Sequence, residues 1–105
     1  MTDETQGACA LTGKQRRFLR AHGHNRSPAL YVGKEGVSEA VIAALDEALL
    51  THELVKVKLG QNVADDRQDA AAALAAATGS QIAQILGGTV LLYRKHPEKP
   101  RLKLP

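Results

Sequence analysis

The run Tyr31-Val32-Gly33-Lys34-Glu35-Gly36-Val37-Ser38 constrains the fold of this chain more than any other stretch. It reads as the end of a strand, a four-residue loop with glycine at both ends, and the start of a helix. Glycine permits backbone angles that other residues avoid, and it leaves no Cβ in the way of a large group nearing the backbone. Ser38 is a good N-cap for the apolar-periodic segment behind it. The loop is therefore expected to present backbone N–H groups at the positive end of a helix, with Lys34 at its tip, an arrangement that suits a phosphate. Turn geometry alone also explains two glycines at such a junction, so the pair is a weak signal by itself.

The rest of the chain adds weight. At 105 residues it is long enough for one domain with its own core. It has no apolar run of membrane-spanning length. Met1 to Ala10 lacks the basic start and apolar stretch of a secretory signal. Cys9 is the single cysteine, which excludes an internal disulfide framework and fits a reducing compartment, so a cytoplasmic location is expected. The net charge is +3, but its distribution says more. Between Thr12 and Val37, Lys14, Arg16, Arg17, Arg20, Arg26 and Lys34 are opposed only by Glu35. The later helical segments hold Glu39, Asp46, Glu47, Asp65, Asp66 and Asp69. One electropositive side is expected.

In chain order, residues 1 to about 10 read as a disordered leader. Helix one follows, with Thr12 and Gln15 in a capping-box pattern. Leu11, Gln15, Phe18, Leu19 and His22 form its apolar stripe, Arg17 and Arg20 lie opposite, and Lys14 and Arg16 flank them. No acidic residue at helical spacing softens this repulsion. Gly23 to Pro28 is expected to break the helix. Strand one is about Ala29 to Val32, and helix two runs from Ser38 to about Thr51 on the stripe Val41, Ile42, Leu45, Ala48, Leu49. Strand two, Leu54 to Leu59, alternates: Val55, Val57 and Leu59 point one way, Lys56 and Lys58 the other, the pattern of a sheet with one open face. After a loop from Gly60 to Ala64, an alanine-rich helix three runs from about Asp65 or Asp66 to Thr78, with Gly79 as its C′ residue. Gly87-Gly88 then joins two strands in a two-residue hairpin. Simple alternation across it puts Ala83 and Ile85 with Val90 and Leu92 on one face, and Gln84 with Leu91 and Ile82 with Tyr93 on the other. From His96 the chain reads as an extended basic tail.

The order α-β-α-β-α-β-β predicts an α/β (α+β two-layer) fold with a mixed four-stranded sheet. Strands one and two should be parallel, the hairpin antiparallel, and helices two and three on one face. Periodicity does not place helix one. The globular part is 11–95, between the leader and the tail at 96–105.

His22, His24, His52 and His96 show no metal-ligand spacing, and no nucleophile, Walker or dinucleotide motif is present. A non-enzyme without metal or cofactor is expected. Tyr31 and Tyr93 either share the face of Lys56 and Lys58 or pack under helix one. If RNA is bound, backbone and shape contacts should therefore outweigh base stacking.

Four blocks look familiar together. They are the run from Leu11 to Arg20, Val32-Gly-Lys-Glu-Gly-Val, His52-Glu-Leu-Val-Lys-Val-Lys, and Gly87-Gly-Thr-Val-Leu-Leu-Tyr-Arg94. In order and spacing, from about Leu11 to Leu104, the chain resembles the YhbY-like proteins, the bacterial stand-alone form of the CRM domain (chloroplast RNA splicing and ribosome maturation). That resemblance implies a fold similar to the C-terminal domain of translation initiation factor three. It also implies RNA binding, with precursors of the large ribosomal subunit as the bacterial partner. Carried over by position, it assigns RNA contact to the KH-like loop Gly33, Lys34, Glu35 and Gly36, and to Lys14, Arg17, Arg20, Lys56, Lys58 and Arg94. Glu35 departs from what a phosphate prefers and points to the loop amides more than its side chains. The expected protein is a monomeric rRNA-binding factor for ribosome assembly, with neither a membrane nor a small-molecule substrate as partner. The alternative is a protein-interaction module whose basic face docks an acidic partner, with Tyr93 and Leu91 on an open sheet face as the contact surface.

Overall fold

The computed structural model describes residues 11–60 and 67–105. The expected leader, most of the loop after strand two, and the expected start of helix three at Asp65 or Asp66 lie outside the described residues. The described elements are α1 (Gly13–His24), β1 (Leu30–Val32), α2 (Glu39–His52), β2 (Leu54–Leu59), α3 (Arg67–Thr78), β3 (Gln81–Leu86) and β4 (Thr89–Tyr93). Local chemistry explains most of these boundaries. Thr12 Oγ1 accepts the Gln15 amide at 3.1 Å, and Gln15 Oε1 accepts the Thr12 amide at 3.0 Å, so the capping box is formed. Ser38 Oγ accepts the Val41 amide at 3.3 Å and starts α2. Gly79, at φ 67, ends α3, and the Ser80 amide reaches back to Ala75 O at 3.0 Å, as a Schellman ending requires. Gly87, at φ 58, supplies the positive angle of the hairpin turn.

The sheet order is β1-β2-β4-β3. β1 and β2 are parallel, while β2–β4 and β3–β4 are antiparallel, so the mixed sheet has the expected element order. Its two faces are filled unequally. On one face, α2 and α3 bury Val32, Leu45, Leu49, Val55, Val57, Leu59, Leu74, Val90 and Leu92 with Ala70 and Ala71. The alanines of α3 allow close approach to the sheet. On the other face a smaller cluster of Leu19, Leu54, Ala83, Leu91 and Tyr93 lies under α1, with Leu11, Phe18, Leu102 and Leu104 around it. Helix α1 thus adds a partial third layer, opposite α2 and α3.

Three expectations change. First, the hairpin contains a register shift between Ile82 and Gln84. One extra residue in a strand inverts the facing of everything before it. Ile82 therefore packs on the α2/α3 side and Ala83 on the α1 side, the reverse of simple alternation. Second, Gly23 lies inside α1 and does not break it. A Cβ there would stand 2.7 Å from Leu91 Cδ2, so glycine lets the helix sit against the sheet. Gly23 is buried while His22 is exposed, and the buried stripe is shifted by one residue.

Third, the segment after β4 has no helix or strand, yet it is firmly held. Its anchor is Glu53, the residue between α2 and β2, at φ 64 and ψ −41 and only 1% exposed. Its Oε2 accepts the His96 amide, and its Oε1 accepts the Arg101 and Leu102 amides, each at 2.8 Å. Arg101 Nη1 also donates to Thr51 O at 2.6 Å, at the end of α2. Leu102 and Leu104 then lie beside α1, and Gln15 Nε2 donates to Pro105 O at 3.3 Å. Burial raises the affinity of the Glu53 carboxyl for its proton, but the three amides and the nearby His96 outweigh it and hold the pKa below 4.5. Burial, helped by the Glu53 charge, raises the pKa of the Tyr93 hydroxyl. Among the described residues no helix is long and apolar enough to cross a membrane.

Candidate nucleic-acid interface

The glycine loop is a single tight turn. The Gly36 amide donates to Gly33 O at 2.9 Å, and Gly36 has φ 79 and is buried. Turn geometry therefore accounts for Gly36 in full. Gly33 is different. Its φ is not in the glycine-favouring region, and a Cβ on it would meet only Tyr31 Cε2, at an ordinary 3.7 Å. The fold itself does not demand a glycine at 33. Lys34 and Glu35 are exposed, and their amides have no acceptor among the described residues. Val37 and Ser38 separate this turn from α2, whose positive end already has the Ser38 hydroxyl and Glu39. The offer to an anion is thus narrower than expected: two free amides and one lysine, because the Gly36 amide is used within the turn.

Beside the loop, α1 covers only part of its sheet face. Its last turn reaches the cross-strand row Lys56, Leu91, Gln84, where Gly23 rests on Leu91. A hollow of about 100 Å³ separates His24 from Lys56, Gln84 and Thr89. The next row outward, Tyr31, Lys58, Thr89, Leu86, is paired strand to strand, and both its ends are open to solvent. Tyr31 is 62% and Leu86 66% exposed.

The cations gather on this side. Lys14, Arg16, Arg17 and Arg20 are exposed on the outer face of α1, with no ion pair among the described residues. Lys58 is likewise exposed and unpaired among them. Lys56 is half-buried, and its Nζ donates to Arg26 O at 3.0 Å. The described acids of the helices, Glu39, Asp46, Glu47 and Asp69, are on α2 and α3, across the sheet. Charges so arranged make a two-sided field.

Arg94 does not join this group. Its Nη1 contacts Asp46 Oδ1 at 2.6 Å and Thr78 O at 2.7 Å, and its Nη2 donates to Asp46 O at 3.0 Å. It ties β4 to α2 and α3 on the opposite side, so its carry-over as an RNA contact meets a guanidinium already engaged three times. The sheet face expected to be open for a protein partner is closed. Leu91 and Tyr93 are 2% and 5% exposed, so α1 and the C-terminal segment close the surface proposed for a protein partner. The two tyrosines part company, Tyr93 buried under α1 and Tyr31 in the open. Sequence reasoning also passed over Glu53. The available signal is a lone acid at the single position between the end of a helix at His52 and the start of an apolar strand at Leu54. Among the described residues no three His, Cys, Asp or Glu side chains are grouped to hold a metal ion.

Residues 11–94 match the CRS1 / YhbY (CRM) domain. The chain belongs to this family. Its CRM domain is 43% identical over 95 residues to a probable RNA-binding protein of Bacillus subtilis, YqeI, covering 90% of this chain and 99% of that one. A probable RNA-binding protein of Pseudomonas aeruginosa is 41% identical, with 90% of each chain covered. The solution structure of a Staphylococcus aureus protein superposes on the CRM domain with a TM-score of 0.79 at 40% identity, over 91% of this chain and all of that one.

Proposed function

We propose that this CRM domain binds RNA, that its target is ribosomal RNA in a precursor of the large ribosomal subunit, and that it assists assembly there. The observation that carries this reading is the set of exposed cations of α1, unpaired among the described residues, on the same side of the sheet as Lys58 and the open row beside the Gly33–Gly36 turn. Relatives named as RNA-binding proteins support it. The protein acts in the cytoplasm as a monomer and does no covalent chemistry on its target.

In mechanism, the outer face of α1 supplies Lys14, Arg17 and Arg20 to phosphates. Lys56 and Lys58 extend that field across the sheet, and the turn meets one stretch of backbone through the amides of Lys34 and Glu35. Glu35 repels phosphate at the tip, so contact is through main chain there. Gly33, which the turn does not require, keeps that approach clear.

Neutralising roughly six phosphates gives a log–log salt slope of about −4 to −5 for rRNA binding. A binding constant indifferent to salt would remove the mechanism. Co-sedimentation with large-subunit particles should vanish after nuclease treatment; nuclease-resistant association would show a protein partner in its place.

A further inference from the structure

The open row on the sheet is more than a gap left by α1. Tyr31 is the one strongly exposed aromatic among the described residues, since Tyr93 is buried and Phe18 is packed beside His22 with ring centroids 4.5 Å apart. Its ring is also seated. A Cβ on Gly60 would lie 2.9 Å from Tyr31 Cζ and 3.2 Å from Val32 O, and closer still to the Tyr31 hydroxyl oxygen. A Cβ on Gly33 would meet the Cε2 edge at 3.7 Å. The Cε2–Cζ–Oη side of the ring therefore lies along two bare glycine backbones, while most of its surface faces water. An aromatic so placed is held in position but left uncovered.

Its neighbours across the sheet are chemically ordered. Lys58 is the Cα partner of Tyr31, Thr89 that of Lys58, and Leu86 that of Thr89. At about 4.8 Å per strand the row spans about 14 Å. It offers a ring face, a cation, a hydroxyl and an aliphatic side chain in succession. No acidic side chain belongs to the row, and the one acid of the adjoining turn is Glu35. The charge suits an anionic polymer, and the ring and Leu86 suit flat apolar faces between its charges. A paired helix hides its base faces; an unpaired strand shows them.

We propose that Tyr31 is a stacking platform for an unpaired nucleobase of RNA, with Lys58 on the adjoining phosphate, so that the domain selects a single-stranded segment next to the turn Gly33–Gly36. This rests on the reading of the protein as RNA-binding and goes beyond it. The base is recognised by its face, hence with little sequence preference.

The test uses the full chain and two probes: a short unpaired oligoribonucleotide carrying 2-aminopurine, and a hairpin whose paired stem holds the same sequence closed by a minimal loop. Wild-type protein should quench the unpaired probe's fluorescence and bind it more tightly than the hairpin. Tyr31→Ala should lose the quenching and weaken unpaired binding roughly tenfold, with hairpin affinity unchanged; Tyr31→Phe should keep both properties. Gly60→Ala, which pushes the ring off its seat, should move in the direction of Tyr31→Ala. Unchanged melting of Tyr31→Ala is expected because the side chain is exposed. Equal quenching and affinity in Tyr31→Ala, with salt-dependent binding intact, overturns the platform and leaves RNA binding standing. Failure of wild type to bind either probe overturns the RNA reading and the platform with it. An acidic peptide bound in a Tyr31-dependent way, with RNA binding indifferent to Tyr31, also overturns the proposal.

Discussion

The two faces of the sheet do different work with the same four strands. Under α2 and α3, every side chain sent down from β1, β2 and β4 is aliphatic, all buried but the partly buried Leu30, and the alanines of α3 close the gap. Arg94, which reaches to that side, is engaged by Asp46 and Thr78. On the α1 face a small cluster holds the helix at one end of the sheet, and the other end is left to Lys58, Thr89, Leu86 and Tyr31. The first face has exchanged its charges for stability. The second keeps close together cations that have no acidic partner among the described residues, which is costly for folding alone and useful when an anion arrives. Stability and binding should therefore separate cleanly by face.

Substitutions can break that comparison, and the largest effect belongs to the closed face. Leu45→Ala should cost about 2–5 kcal/mol in urea denaturation and leave the salt slope of RNA binding unchanged. A changed slope would mean the faces are coupled. Glu53 comes next. Glu53→Ala should cost about 2–3 kcal/mol, because three amides lose a charged acceptor and the C-terminal segment comes loose from α1. The sign of its pH dependence follows from the lowered folded pKa. The carboxylate's contribution is complete above the ordinary carboxyl range near 4.5, and it fades as pH falls from there through the lower folded value. Glu53→Gln should flatten that acid limb of the stability curve.

A matched pair of cations sharpens the contrast at smaller scale. Arg94→Ala should lower stability by about 1 kcal/mol with RNA affinity unaltered. Lys58→Ala should leave stability within about 0.5 kcal/mol and reduce the salt slope by about 1. Titrations and melts on both proteins decide it, and a drop in RNA affinity for Arg94→Ala would return that residue to the interface. The finest cut lies within the turn. Gly36→Ala should destabilise by about 1 kcal/mol, since φ 79 suits glycine. Gly33→Ala should melt like wild type and bind RNA more weakly. If both variants bind normally, the turn is only a turn.

Much of the frame is legible in the sequence. Thr12 with Gln15, Ser38, Gly79 and Gly87-Gly88 each mark an element boundary through a cap or a backbone angle set within a few residues, and the aliphatic stripes of α2 and β2 show which side they bury. Such signals are local, so a linear reading finds them. The bulge at Ala83 escaped because alternation is indistinguishable from alternation plus one until a partner strand is in place. Gly23 looked like a helix stop because its use, a close approach to Leu91, lies far away in sequence. The site was legible in kind, a glycine turn beside a basic helix, but its membership was not. Lys58 and Arg94 look alike in sequence, and only their partners separate them.

The sequence by itself determined the order of elements, the parallel pair and the hairpin, and the basic outer side of α1, because capping, periodicity and glycine angles act over a few residues. Tertiary structure alone decided that α1 lies opposite α2 and α3, that Glu53 ties down the C-terminal segment, that Arg94 is spent on Asp46, and that Tyr31 is open while Tyr93 is closed. These depend on contacts between residues tens of positions apart, such as Glu53 to Leu102 and Arg94 to Asp46. Their free energy comes from burial and hydrogen bonding that exist only once the sheet has brought those residues together.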